Sequence, residues 1–131
     1  VERHPAIEMM RTNPQVLAMA LKAVVPTMSD AAYFGRLVAD AALMSGPAWI
    51  GNAVALGSMD LTGRLRGFTK PVLVIHGGKD IIITAAMAEE TRDAFPESRL
   101  IELPELGHSV IVEDPGRFKA LLLDFLSGIR G

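Results

Sequence analysis

The chain has 131 residues, half of them apolar, a formal net charge of −2 and no cysteine. That length holds one domain with a modest core, and that apolar content is not the composition of a disordered chain. The missing cysteines remove disulfides, thiolate metal sites and a thiol nucleophile together, and the faintly acidic balance leaves no basic footprint for nucleic acid.

Residues 1–69 read as short helices with no strand pattern. "NPQVLAMALKAVV" offers Asn13 as an N-cap and Pro14 as the first helical residue. It places Val16, Leu17, Ala20, Leu21 and Val24 on one stripe. "SDAAYFGRLVADAALM" predicts a helix capped by Ser29, with Tyr33, Phe34, Leu37, Val38 and Ala41 on one face and a stop at Gly46-Pro47. "AWIGNAVAL" predicts a third helix, weakened by Gly51, that groups Trp49, Ile50, Ala53 and Val54.

From residue 70 the pattern changes to strand, helix, strand, helix. "PVLVI" is a continuous β-branched run between Pro71 and Gly77-Gly78, as expected of a strand buried on both faces of a parallel sheet. "TAAMAEETRDAF" predicts a helix with Thr84 as its cap, Met87, Thr91, Ala94 and Phe95 on one side, and Pro96 as its stop. "SRLIEL" is the second strand. "DPGRFKALLLDFLSGI" opens on Asp114 and Pro115 and aligns Phe118, Leu121, Leu122, Phe125 and Ile129. The predicted class is α/β: a βαβα unit over residues 70–131, preceded by a helical segment over 1–69. Apolar runs such as Pro71 to Ile75 and Ala120 to Leu123 are far too short to cross a bilayer, so no membrane partner is expected. No secretory signal is visible, but the chain starts at Val1 rather than a methionine, so its natural N-terminus is expected to lie further upstream and the cytoplasm is only the default expectation.

In open parallel sheets, ligands bind beyond the carboxyl ends of the strands. Asp80 follows the first strand in "VIHGGKD" and His108 follows the second in "IELPELGH". Neighbouring parallel strands bring their tips together, so these two predict a carboxylate–imidazole pair that fixes a tautomer and stabilises an imidazolium. Gly77, Gly78 and Gly107 fit tight turns at those tips. The plainer readings are a turn residue for Asp80, since G-G-K-D is ordinary turn chemistry, and a polar loop residue for His108. Their matched placement favours the pair. His76 reads as a packed or hydrogen-bonded core histidine, and Glu89, Glu90, Asp93 and Glu97 as a solvated helix face. His4, His76 and His108 have no metal-ligand spacing, and no metal is expected.

"PVLVIHGGKDIIIT" followed by "SRLIELPELGHSVIVEDPGRFKALLLDFL" resembles the C-terminal part of the α/β-hydrolase superfamily, nearest to its cofactor-free esterase, lactonase and haloperoxidase-like branch. The resemblance is strong over residues 70–126 and loose over 1–60. It implies that Asp80, in the G-x-x-D turn, is the triad acid. It implies that His108, in the G-H pair before a D/E-x-P helix start, is the base. Residues 1–69 correspond to the lid inserted after the sixth strand, and no metal or organic cofactor is implied. Thr84 departs from the proline that many relatives carry after the acid turn, a change expected to alter only the helix start.

A triad also needs a nucleophile, ordinarily the serine of G-x-S-x-G on a strand-to-helix elbow. The serines at 29, 45, 58, 98, 109 and 127 lack glycines at both −2 and +2. Ser58 in "LGSMD" and Ser109 beside the histidine are decoys on this reading. The resemblance implies that nucleophile and oxyanion hole precede the lid, hence lie before Val1. Two strands also cannot bury "PVLVI" on both faces, and an open parallel edge invites pairing. The expectation is therefore the lid and C-terminal portion of a serine hydrolase of small esters, lactones or related acyl compounds. Its partner would be the missing N-terminal segment or a second copy of the chain. The alternative is a non-catalytic ligand-binding or protein-interaction module of the same fold.

Overall fold

The computed structural model describes residues 5–129. The chain forms two compact units: one takes the chain up to Ala23 together with Ser29–Asp60, the other takes Val24–Met28 together with the chain from Leu61 onward.

The first unit is helical, with α1 Pro5–Thr12, α2 Pro14–Val24, α3 Ala31–Ala42 and α4 Gly46–Ser58. Asn13 caps α2 by accepting from the amides of Gln15 and Val16 at 3.0 and 3.3 Å, and Leu17 is its buried residue. The cap of α3 is Asp30, not Ser29: its carboxylate accepts from the Tyr33 amide at 2.8 Å. An anion at this position also complements the helix dipole, which a serine hydroxyl does not. The apolar face of α3 is the expected one, with Tyr33, Phe34, Leu37, Val38 and Ala41 half-buried between exposed neighbours. Gly46-Pro47 does not close α3, which ends at Ala42. It opens α4, where Ser45 accepts from the Ala48 amide and Pro47 occupies the first turn, a position that needs no amide donor. On α4, Trp49 and Ile50 are half-buried, but Ala53 and Val54 are exposed. The helix α1, with Pro5 at its start, was not among the expected elements.

The second unit contains α5 Thr62–Leu65, β1 Val72–Gly77, α6 Ala85–Ala94, β2 Ser98–Leu103, α7 Val110–Glu113 and α8 Pro115–Gly128. β1 and β2 pair in parallel from Val72↔Ser98 to Gly77↔Leu103, with α6 as the crossover. β1 thus runs two residues past the apolar stretch and carries His76 and Gly77 in its ladder. The core centres on Leu103, Leu106 and Val110, with Ile75, Ile101, Phe118 and Leu121 packed around them.

Two helix faces match expectation in part: Ala94 and Phe95 of α6 and Phe118, Leu121 and Phe125 of α8 turn inward as expected, and the other residues of those faces do not. α6 buries Ala88 and Ala94 and leaves Met87 and Thr91 exposed. The small alanines let the helix approach the strands closely, while the Thr91 hydroxyl turns outward to donate to the Met87 carbonyl at 2.8 Å. On α8, Phe118, Leu121 and Phe125 face inward at three- and four-residue spacing, whereas Leu122 and Ile129 are exposed. Val72 to Ile75 are only half-buried, and among the described residues β2 is the sole ladder partner of β1. No helix among the described residues is long and apolar enough to cross a membrane.

Candidate active site

The two strand tips meet main chain to main chain. The turn after β1 donates to the end of β2 and the turn beyond it: Gly78 N–H to the Leu103 carbonyl at 2.9 Å and Lys79 N–H to the Leu106 carbonyl at 2.8 Å. A Cβ on Gly77 would overlap the Gly107 carbonyl and lie 2.6 Å from the Leu106 carbonyl oxygen, and one on Gly78 would lie 2.6 Å from Pro104 Cα. None of the described glycines has a positive φ. Glycine is required at these tips by close approach, not by a left-handed backbone.

This stitching sets Asp80 opposite His108. Asp80 serves two purposes, one per carboxylate oxygen. Oδ1 accepts from the amides of Ile82 at 2.7 Å and Ile83 at 2.9 Å, closing the turn; Oδ2 lies 2.9 Å from His108 Nδ1. The Asp80 side chain is 4 % exposed and that of His108 35 %, so the carboxylate stands behind the imidazole and the ring reaches the surface. Burial by itself would raise the Asp80 carboxyl. The amides of Ile83 and Ile82, the hydrogen bond with His108 and the imidazolium charge together outweigh it and hold the group below the usual carboxylate range. With Nδ1 engaged as donor, the ring leaves Nε2 on its far side to accept or release a proton.

His76 takes no part in this pair. It is buried and donates from Nε2 to the Ile83 carbonyl at 2.8 Å, supporting the far end of the Asp80 turn from inside β1. Its Nδ1 is buried without a hydrogen bond, with Glu102 Oε1 3.7 Å away and out of reach. His4 lies outside the described residues. Thr84 caps α6 by accepting from the Met87 amide, so the threonine that replaces the resemblance's proline starts the helix by side-chain capping. Four serine hydroxyls are occupied by nearby main chain: Ser45 caps α4, and Ser58, Ser98 and Ser127 donate to carbonyls of Ala55, Arg92 and Asp124. Ser109 precedes α7 and makes no side-chain cap there.

Sequence reasoning missed Glu113, the last residue of α7. Its Oε1 accepts from the Gly107 amide at 2.9 Å, next to His108, while Oε2 accepts from Thr27, 86 positions upstream. An acidic residue two places before a helix-opening proline was the available signal, but nothing local names its partners.

No family model matches the chain. Over 63 residues it is 35 % identical to the pimeloyl-[acyl-carrier protein] methyl ester esterase of Nitrosomonas europaea, a match covering 48 % of this chain and 25 % of that protein. The enol-lactonase of Burkholderia xenovorans is 26 % identical with a TM-score of 0.69, over 94 % of this chain and 49 % of that one. The esterase EaEST of Exiguobacterium antarcticum superposes with a TM-score of 0.78 at 23 % identity, over 93 % of this chain and 46 % of that one. The chain thus spans about a quarter of the curated relative and about half of each solved structure. Its parallel βαβα unit and these likenesses together show that the chain has the fold of the α/β-hydrolases it is similar to.

Proposed function

We propose that this chain supplies the acid–base half of a serine-type acyl hydrolase, with His108 as the base and Asp80 as the acid that orients it. The observation that carries the reading is the 2.9 Å contact between His108 Nδ1 and a nearly buried Asp80 carboxylate at adjacent strand tips. His108 Nε2 takes the proton of the attacking hydroxyl as the oxygen bonds to the acyl carbon, and Asp80 stabilises the resulting imidazolium. The same proton then goes to the leaving oxygen as the acyl–oxygen bond breaks. A water molecule, activated by the same nitrogen, hydrolyses the acyl-enzyme. The serine and the oxyanion donors come from outside residues 1–131, in a segment that also pairs with β1, and residues 1–69 act as the lid. Substrates are small esters, lactones or related acyl compounds, in keeping with the esterases and the lactonase that the chain is similar to.

The test is hydrolysis of an activated aryl ester by the chain alone and by a polypeptide joining it to a G-x-S-x-G segment of the same fold. The chain alone should show no turnover above background. The joined protein should be active, and His108→Ala should lower its turnover roughly a thousandfold or more, the scale on which a triad base acts. Turnover through one of the chain's own serines, or a folded His108→Ala protein of full activity, would overturn the assignment. An inert joined protein that binds acyl compounds would favour the non-catalytic module instead.

A further inference from the structure

We infer that Glu113 is a positioning residue for His108: its carboxylate ties the histidine turn to the Val24–Met28 segment and fixes the main chain from which the imidazole reaches Asp80. The effect on turnover rests on the acid–base reading above; the clamp does not. Glu113 Oε2 accepts from the Thr27 amide at 3.0 Å and from its hydroxyl at 2.5 Å, and Oε1 accepts from the Gly107 amide at 2.9 Å. The next amide, that of His108, donates to the Val24 carbonyl at 2.9 Å. Two consecutive amides of the turn are therefore held from outside it, one by Glu113 and one by the segment that Glu113 itself holds.

There is no slack around them. A Cβ on Gly107 would lie 2.7 Å from the Val24 carbonyl oxygen and 2.9 Å from Glu113 Oε1, and would overlap the Pro26 ring. Glu113 is itself immobilised, its amide donating to the Ser109 carbonyl at 3.0 Å and the following Asp114 capping α8 at the Arg117 amide. These three described donors to Glu113 are uncharged, so the carboxylate supplies directed acceptor geometry to groups that would otherwise be half-buried and unpaired. The Asp80–His108 contact is sensitive to this, because a hydrogen bond of 2.9 Å is lost by a shift of about 1 Å in the main chain that carries the ring.

The experiment compares Glu113→Ala, Glu113→Gln and Thr27→Val with the unaltered chain. It reads amide exchange at Gly107 and His108 and the proton signal of His108 Nδ1, with circular dichroism to establish folding. Glu113→Ala should speed exchange at both amides about tenfold or more and broaden or shift the Nδ1 signal. Glu113→Gln should fall between, because its carbonyl keeps one acceptor while its amino group cannot accept. Thr27→Val removes one donor and should move the same signals less. In the joined, active protein, Glu113→Ala should lower kcat by up to roughly 100-fold with little change in KM, and shift the pH profile of kcat/KM. A folded Glu113→Ala chain with unchanged Nδ1 signal and exchange would overturn the inference. Should Glu113→Ala fail to fold, an unchanged Nδ1 signal in Thr27→Val would do the same. Because exchange and the Nδ1 signal need no catalysis, an inert joined protein would count against the acid–base reading alone.

Discussion

At the scale of single residues, Asp80 shows that closing a turn and facing an imidazole need not be alternatives. One oxygen closes the turn and the other faces His108. Because the folded carboxyl lies below its ordinary value, which is near pH 4, its contribution to stability is complete above that value and fades as pH falls through the lower, folded one. Asp80→Asn, which does not titrate, should flatten the acid side of a stability–pH curve measured by urea unfolding. A curve unchanged below pH 4 would remove Asp80 from the linkage. His76 gives the contrast. His76→Asn should cost about 1–3 kcal/mol in urea unfolding, since it disturbs a buried donor to Ile83, while in the joined protein its turnover should fall far less than that of His108→Ala. Equal losses of turnover in two folded variants would reverse these roles. The pair was legible in the sequence because each residue stands just past a strand that periodicity marks. Glu113 was not, because its role is defined by Thr27, far upstream, and by a backbone amide, which no residue type announces.

At the scale of elements, both strands, α6 and α8 were readable from β-branched runs, caps and prolines, since these signals act within a few residues. The full inner face of α6 was not. Alanine reads as neutral in a helical pattern, yet the closeness of helix and sheet makes Ala88, beside the expected Ala94, a buried position. Ser29 against Asp30 was likewise a one-residue choice that only the chain's entry direction into α3 decides. The core residue Leu103 is 1 % exposed, so Leu103→Ala should cost about 2–5 kcal/mol in urea unfolding, against about 0.5–2 kcal/mol for Thr84→Ala, which loses only a cap. If the two losses came out alike, Leu103 would not be the centre of this core.

At the scale of the whole molecule, the question is what covers β1. Its apolar residues Val72 to Ile75 are half-exposed, and one of its two edges has no ladder among the described residues. At roughly 25 cal/mol per Å², covering such a strand is worth several kcal/mol. That is comparable to the whole stability of a small domain, about 5–15 kcal/mol. The isolated chain should therefore associate in a concentration-dependent way in sedimentation velocity, and a segment carrying the neighbouring strand should suppress that association. A monomer at every concentration that unfolds cooperatively would show that β1 needs no cover. The contact of Gly77 with the Gly107 carbonyl has a separate consequence. Asp80 and His108 are brought opposite each other by backbone touching backbone, while Ile81, Ile82 and Ile111, close to them in sequence, are 66 %, 51 % and 54 % exposed. Such an arrangement is evolvable. A library randomised at 81, 82 and 111, proline excluded at 82 to keep its amide, would change the exposed surface beside Asp80 and His108 while their contact stayed where it is. A fold built this way can vary its surface without disturbing the geometry beneath it.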